Sequence, residues 1–124
     1  MKNISKVFWT GVRILFALFI VYAGVQHFVK PDFFVPFVPS FLPFAKTIIY
    51  VSGLLEVLFG LILFIPKYIK MGAFGIMLLM ILFLPIHIWD VFSDMPAIGS
   101  HKAALIRLPF QFLFIVIAWK IKSQ

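Results

Sequence analysis

Four mostly apolar stretches, at roughly Val7–Phe28, Thr47–Ile65, Met71–Trp89 and Ala103–Trp119, take up most of this chain. Each is close to the ~17–25 residues that carry a helix across a hydrocarbon core of about 30 Å. None alternates polar and apolar residues with period two, so membrane strands fit poorly. Of the 124 residues, 64% are hydrophobic and 12% charged. A soluble domain of this size leaves much of its surface in water and cannot hide that much apolar area. The sequence therefore predicts an all-α fold, a single integral-membrane domain over residues 1–124. Its connections are short, about Pro66–Lys70 and Asp90–Lys102. Short links favour antiparallel neighbours and an up-down-up-down four-helix transmembrane bundle.

The formal net charge of +7 does not point to nucleic acid, because the basic residues sort by connection. Lys2 and Lys6 precede the first stretch, Lys67 and Lys70 follow the second, and Lys120 and Lys122 follow the fourth. On the other side Lys30, Lys46 and Lys102 are diluted by Asp32, Asp90 and Asp94. The positive-inside rule then places both termini in the cytoplasm. Anionic lipid headgroups are a secondary attraction for the same lysines. The first stretch is long for a signal-peptide core and ends in Gln26-His27, so it reads as a retained helix. Cysteine is absent, which removes disulfide exchange and thiolate metal ligands from this chain's chemistry.

The connection after the first helix is unusual. VYAGVQHFVKPDFFVPFVPSFLP, Val21 to Pro43, carries Pro31, Pro36, Pro39 and Pro43, which forbid an ordinary long helix. Six phenylalanines fall between Phe28 and Phe44. Irregular backbone facing lipid is forbidden, whereas backbone against protein or lining a cavity is allowed. The predicted arrangement is a Pro/Phe-rich loop folded on the extracytoplasmic end of the bundle. Two readings follow: a lid over a lipophilic cavity, or simple anchoring of the Phe rings at headgroup level.

Charged residues inside a span cost roughly 2.5–3.5 kcal/mol each on insertion scales, so they face the bundle interior and find partners. Arg13, Glu56, Arg107 and the neutral Gln111 lie deep, with His27, His87 and Asp90 nearer the outer face. Ser52, Gly53, Glu56 and Gly60 share one helical face, as do Ala104, Arg107, Gln111 and Ala118, and Arg13, Ala17, Gly24 and His27. At about 1.5 Å per residue, Glu56 sits roughly 15 Å down, with Gln111 at a similar level and Arg107 about one turn higher. The expectation is a Glu56–Arg107 ion pair, its hydrogen bonds completed by Gln111. Such a pair reads either as a device that fixes helix neighbours, as a polar pocket, or as a proton path.

Other chemistry is weaker. His27 and His87 at similar depth are a conceivable axial pair for haem, but lone boundary histidines are more often interfacial residues. A zinc site needs more converging ligands than His87, Asp90 and His101 offer, so no metal is assigned. No phosphate loop, dinucleotide fingerprint or Ser/His/Asp arrangement is present.

The segments AGVQHFVKPDFFVPFVPSFLP and SGLLEVLFGLILFIP (Ser52–Pro66), with LPIHIWD and IRLPFQ, resemble the DoxX-like family of small bacterial membrane proteins. The resemblance implies a four-helix bundle in the bacterial inner (plasma) membrane. Some members of that family are subunits of thiosulfate:quinone oxidoreductase, and others are linked to redox homeostasis and quinone resistance. By motif, His27 and Glu56 would be the functional positions, with Arg107 a looser match. The predicted function is a redox-associated accessory component that binds a quinone or similar lipophile. His27, Glu56, Arg107 and Gln111 would supply its hydrogen bonds, with His87 and Asp90 at the mouth. The alternative is a non-catalytic interaction subunit for a partner oxidoreductase, or one that self-associates through glycine-lined faces. A proton-coupled transporter using Glu56 is a third reading. No enzyme activity of its own is assigned, because Glu56 is the only deep acid.

Overall fold

The computed structural model describes residues 2–124, and every regular element among them is helical. Five α-helices follow one another: α1 Lys2–Val29, α2 Pro31–Phe34, α3 Ala45–Ile62, α4 Ile69–Phe92 and α5 His101–Lys122. Three-residue 3-10 turns, Val35–Phe37 and Pro66–Tyr68, interrupt the first and second long connections. All but the single-turn α2 are long and apolar enough to cross a membrane.

Helix ends depart from the limits of the apolar stretches for local reasons. α1 starts among Lys2–Lys6 and α5 runs out to Lys122, because backbone hydrogen bonding continues past the point where side chains become polar. α5 opens on Ser100, whose hydroxyl accepts from the Ala103 N–H at 3.1 Å, an N-cap. α3 stops at Ile62, short of the expected Ile65. Pro66 pushes Ile65 into extended backbone, φ −103° and ψ 107°, so the helix must tighten and end before it. The tightening is visible in the i→i−3 bonds from Phe64 to Leu61 and from Ile65 to Ile62, 3.0 and 2.9 Å. Pro31 fills the first position of α2, where its missing N–H costs nothing.

Contacts along α1 and α3 run in reverse order: Arg13 reaches Leu63, Val21 lies by Gly60, and His27 lies by Gly53. The two helices approach along glycines. A Cβ on Gly24 would fall 2.7 Å from the Gly53 carbonyl oxygen, and one on Gly53 would fall 2.5 Å from His27 Cβ. Gly75 of α4 takes the Phe59 ring in the same way, a Cβ there falling 2.6 Å from its ring carbons. α4 and α5 are joined where Gln111 bonds Met80 and Lys122 lies over the Phe74 ring. Lipid tails are as apolar as leucine, so in a bilayer such close packing and interhelical hydrogen bonds drive association.

The interior has two halves. Phe16, Ala17, Ile20, Leu63, Ala73, Ile76, Leu79, Ala118 and Ile121 form a dense apolar core between the middle of α1, the end of α3, the first half of α4 and the end of α5. The other half is hollow and holds a few polar groups against an apolar wall. Outside, Leu15, Leu54, Leu82, Ile106 and Phe112 are among many large apolar side chains left exposed, a surface suited to hydrocarbon rather than water.

Candidate functional site

The hollow half of the bundle holds a half-open cavity of about 320 Å³ that draws its wall from all four long helices and the Pro/Phe-rich connection. The size is at the small end of ligand pockets. Its apolar wall includes Phe19 and Ile20 of α1, Ile48 and Ile49 of α3, Phe83 and Ile86 of α4, and Phe114 of α5. Phe33, Phe34, Phe37 and Val38 close one side. Against this wall stand His27, Ser52, Glu56, His87 and Arg107.

The glycine seam positions His27 and Glu56. With no side chain on Gly24 or Gly53, α1 comes close enough to put the imidazole beside the carboxylate, Nδ1 to Oε2 3.6 Å. That is longer than a hydrogen bond. Nδ1 lies 2.7 Å from the Ala23 carbonyl oxygen, which can only accept, so Nδ1 carries the proton and gives it to the backbone. Phe34 stacks on the imidazole, ring centroids 4.0 Å apart and planes at 12°. Phe37 lies 6.0 Å from the His87 ring. The histidines thus tie the loop aromatics to α1 and α4. Lys46 and Asp32 make a further contact between loop and α3 at 3.4 Å, but both are exposed and the pair contributes little.

Arg107 is held from its own helix. Its Nη2 donates to Gln111 Oε1 at 2.9 Å, and its guanidinium lies 5.3 Å over the Phe114 ring. Gln111 is fully buried and anchored in turn, donating from Nε2 to the Met80 carbonyl oxygen at 2.6 Å. The expected Glu56–Arg107 ion pair is not formed: among the described residues Glu56 meets only His27, and Arg107 meets Gln111. Both line one cavity, but the arginine fork is committed one turn along α5. Glu56 Oε2 and Arg107 Nη1 are buried without a hydrogen-bond partner.

Of the six residues singled out from sequence, His27, Glu56, His87 and Arg107 line the cavity. Gln111 is a step behind it, as the support of Arg107. Asp90 does not stand at this mouth. Its carboxylate accepts from the backbone N–H groups of Ala97 and Ile98, pinning the connection between α4 and α5, and it borders a separate cleft with Pro36, Phe41 and Trp89. Arg13 is also elsewhere, donating to the Leu63 carbonyl at the end of α3. No cluster of three or more His, Asp or Glu side chains suited to a metal ion occurs among the described residues. The aromatics that the long helices add to the wall were missed from sequence. Phe114 was within reach, since it extends the Ala104–Arg107–Gln111–Ala118 stripe, whereas Phe19 and Phe83 carried no such signal.

The profile of the family Domain of unknown function (DUF8561) matches residues 16–122. The chain belongs to this family. The DUF8561 match starts within α1 and ends at the last residue of α5, so it contains every residue lining the cavity. No curated protein and no solved structure matches the chain.

Proposed function

We propose that this member of the DUF8561 family is a multi-pass membrane protein that binds a quinone or similar lipophile within its bundle. In this reading the four long helices cross a bacterial plasma membrane up-down-up-down, with both termini cytoplasmic. The Pro/Phe-rich connection lies at the extracytoplasmic end as a lid, and the protein serves a redox enzyme as an accessory component. The observation that carries the binding role is a mostly apolar cavity into which a few polar groups converge, the general form of a small-molecule site. The stacking of Phe34 on His27 supports the lid. The redox part rests on the resemblance of Ala23–Pro43 and Ser52–Pro66 to DoxX-like proteins.

The test is mass spectrometry of what co-purifies with the protein in nanodiscs. One lipophile per chain is expected, lost in His27→Ala and Glu56→Gln variants that still fold. Bulk lipid alone around an intact protein would reject the reading and leave the interaction-subunit alternative.

A further inference from the structure

The chemistry of the ligand can be narrowed from the two orphaned atoms. Glu56 Oε2 and Arg107 Nη1 have no hydrogen-bond partner, and both side chains line the same cavity. Buried polar groups are nearly always bonded, and an unmet charged one is the costliest exception. One is an acid and the other a base, and both face the cavity, yet they do not bond to each other. Arg107 is fixed by Gln111 and Phe114, and Gln111 by Met80. Glu56 is 3% exposed, wedged in the α1–α3 seam where even a Cβ on Gly24 would lie 3.0 Å from its own Cβ. The site holds a donor and an acceptor apart.

Each ligand class meets this pair differently. An anion would suit Arg107 and be repelled by Glu56; a cation would do the reverse. A molecule offering acceptors alone would satisfy Nη1 and turn lone pairs toward the carboxylate. A neutral molecule with one O–H donor and one oxygen acceptor satisfies both. His27 Nδ1, 3.6 Å from Glu56 Oε2, has its proton engaged by Ala23, so Oε2 retains an unmet capacity to accept. Six phenylalanines, Phe19, Phe33, Phe34, Phe37, Phe83 and Phe114, supply faces and edges for a flat ring.

We propose that the cavity selects a neutral, hydroxyl-bearing aromatic amphiphile, whose O–H donates to Glu56 Oε2 and whose carbonyl or ether oxygen accepts from Arg107 Nη1. The inference rests on the lipophile-binding reading and sharpens it: a phenol or hydroquinone ring is favoured over a ring that carries only carbonyls.

Two probes of near-equal shape test it, propyl 4-hydroxybenzoate and its methyl ether, propyl 4-methoxybenzoate. Their binding to the intact protein in nanodiscs is measured by calorimetry, with empty nanodiscs as the baseline for partitioning. The hydroxy ester is expected to bind roughly tenfold more tightly, the scale of one hydrogen bond that meets an otherwise unmet buried group. The ratio should fall toward one in Glu56→Leu. The wild-type ratio decides the matter even if that variant fails to fold. Equal binding, tighter binding of the methyl ether, or binding of neither ester overturns this inference. The co-purification experiment separately decides the lipophile reading, since a different bound lipophile would leave that reading standing while this one falls.

Discussion

At the scale of single residues, the glycines of the α1–α3 seam do the positioning. Gly53→Ala would place a Cβ 2.5 Å from His27 Cβ, against a backbone-anchored atom that cannot turn aside. The expected cost is about 1–3 kcal/mol of stability, with weakened ligand retention, because the helices must part where His27 meets Glu56. Gly11→Ala is the control: nothing lies within 4 Å of its added carbon, and helix propensity predicts a gain of up to about 1 kcal/mol. Thermal melting of the two variants in one detergent checks the contrast; equal effects would reject it. Residue patterns revealed that His27, Glu56, His87 and Arg107 face inward, because a charge or imidazole in a span has nowhere else to go. They did not reveal which groups bond. Depth follows from counting 1.5 Å steps, but whether an arginine reaches across a cavity or folds back one turn depends on rotamer and helix rotation. Arg107 folds back, and the pairing expected from depth alone is replaced by the Gln111 contact.

At the scale of the helix, the two deep arginines separate. Arg13 donates to the Leu63 carbonyl, one of the acceptors left without an intrahelical partner where α3 ends before Pro66. Arg13→Met should therefore loosen the last turn of α3 at a cost of about 1–2 kcal/mol, read as faster amide exchange over Gly60–Ile65. Its ligand binding should match the wild type. Lost binding with unchanged exchange would reverse the assignment. The existence and order of the four long helices were legible, since nothing else buries such stretches. Their ends were not, because hydropathy marks where side chains suit hydrocarbon and not where backbone hydrogen bonding stops. The prolines of the first connection correctly ruled out a long helix, yet one turn forms at Pro31–Phe34. That turn carries Phe34 onto His27, a contact between residues whose proximity no periodicity encodes.

At the scale of the whole molecule, the distribution of lysines predicts an orientation for the chain, and the lack of cysteine makes that prediction simple to measure. Single cysteines at Lys6, Lys70, Lys120 and Asp94, all exposed positions, each provide a unique label site. A membrane-impermeant maleimide added to intact cells should label Asp94→Cys alone, with the other three reacting only after lysis. Labelling of any of those three from outside would overturn the four-span arrangement with cytoplasmic termini. The wall of the cavity has a further consequence, for biogenesis. Glu56 sits on the second long helix, whereas Arg107, the guanidinium facing the same cavity, arrives on the last. Synthesis runs from the N-terminus, so a nascent chain must carry the carboxylate into the bilayer two helices before Arg107 follows. Until α5 inserts, the cavity lacks a wall and Glu56 stands without the arginine that shares it.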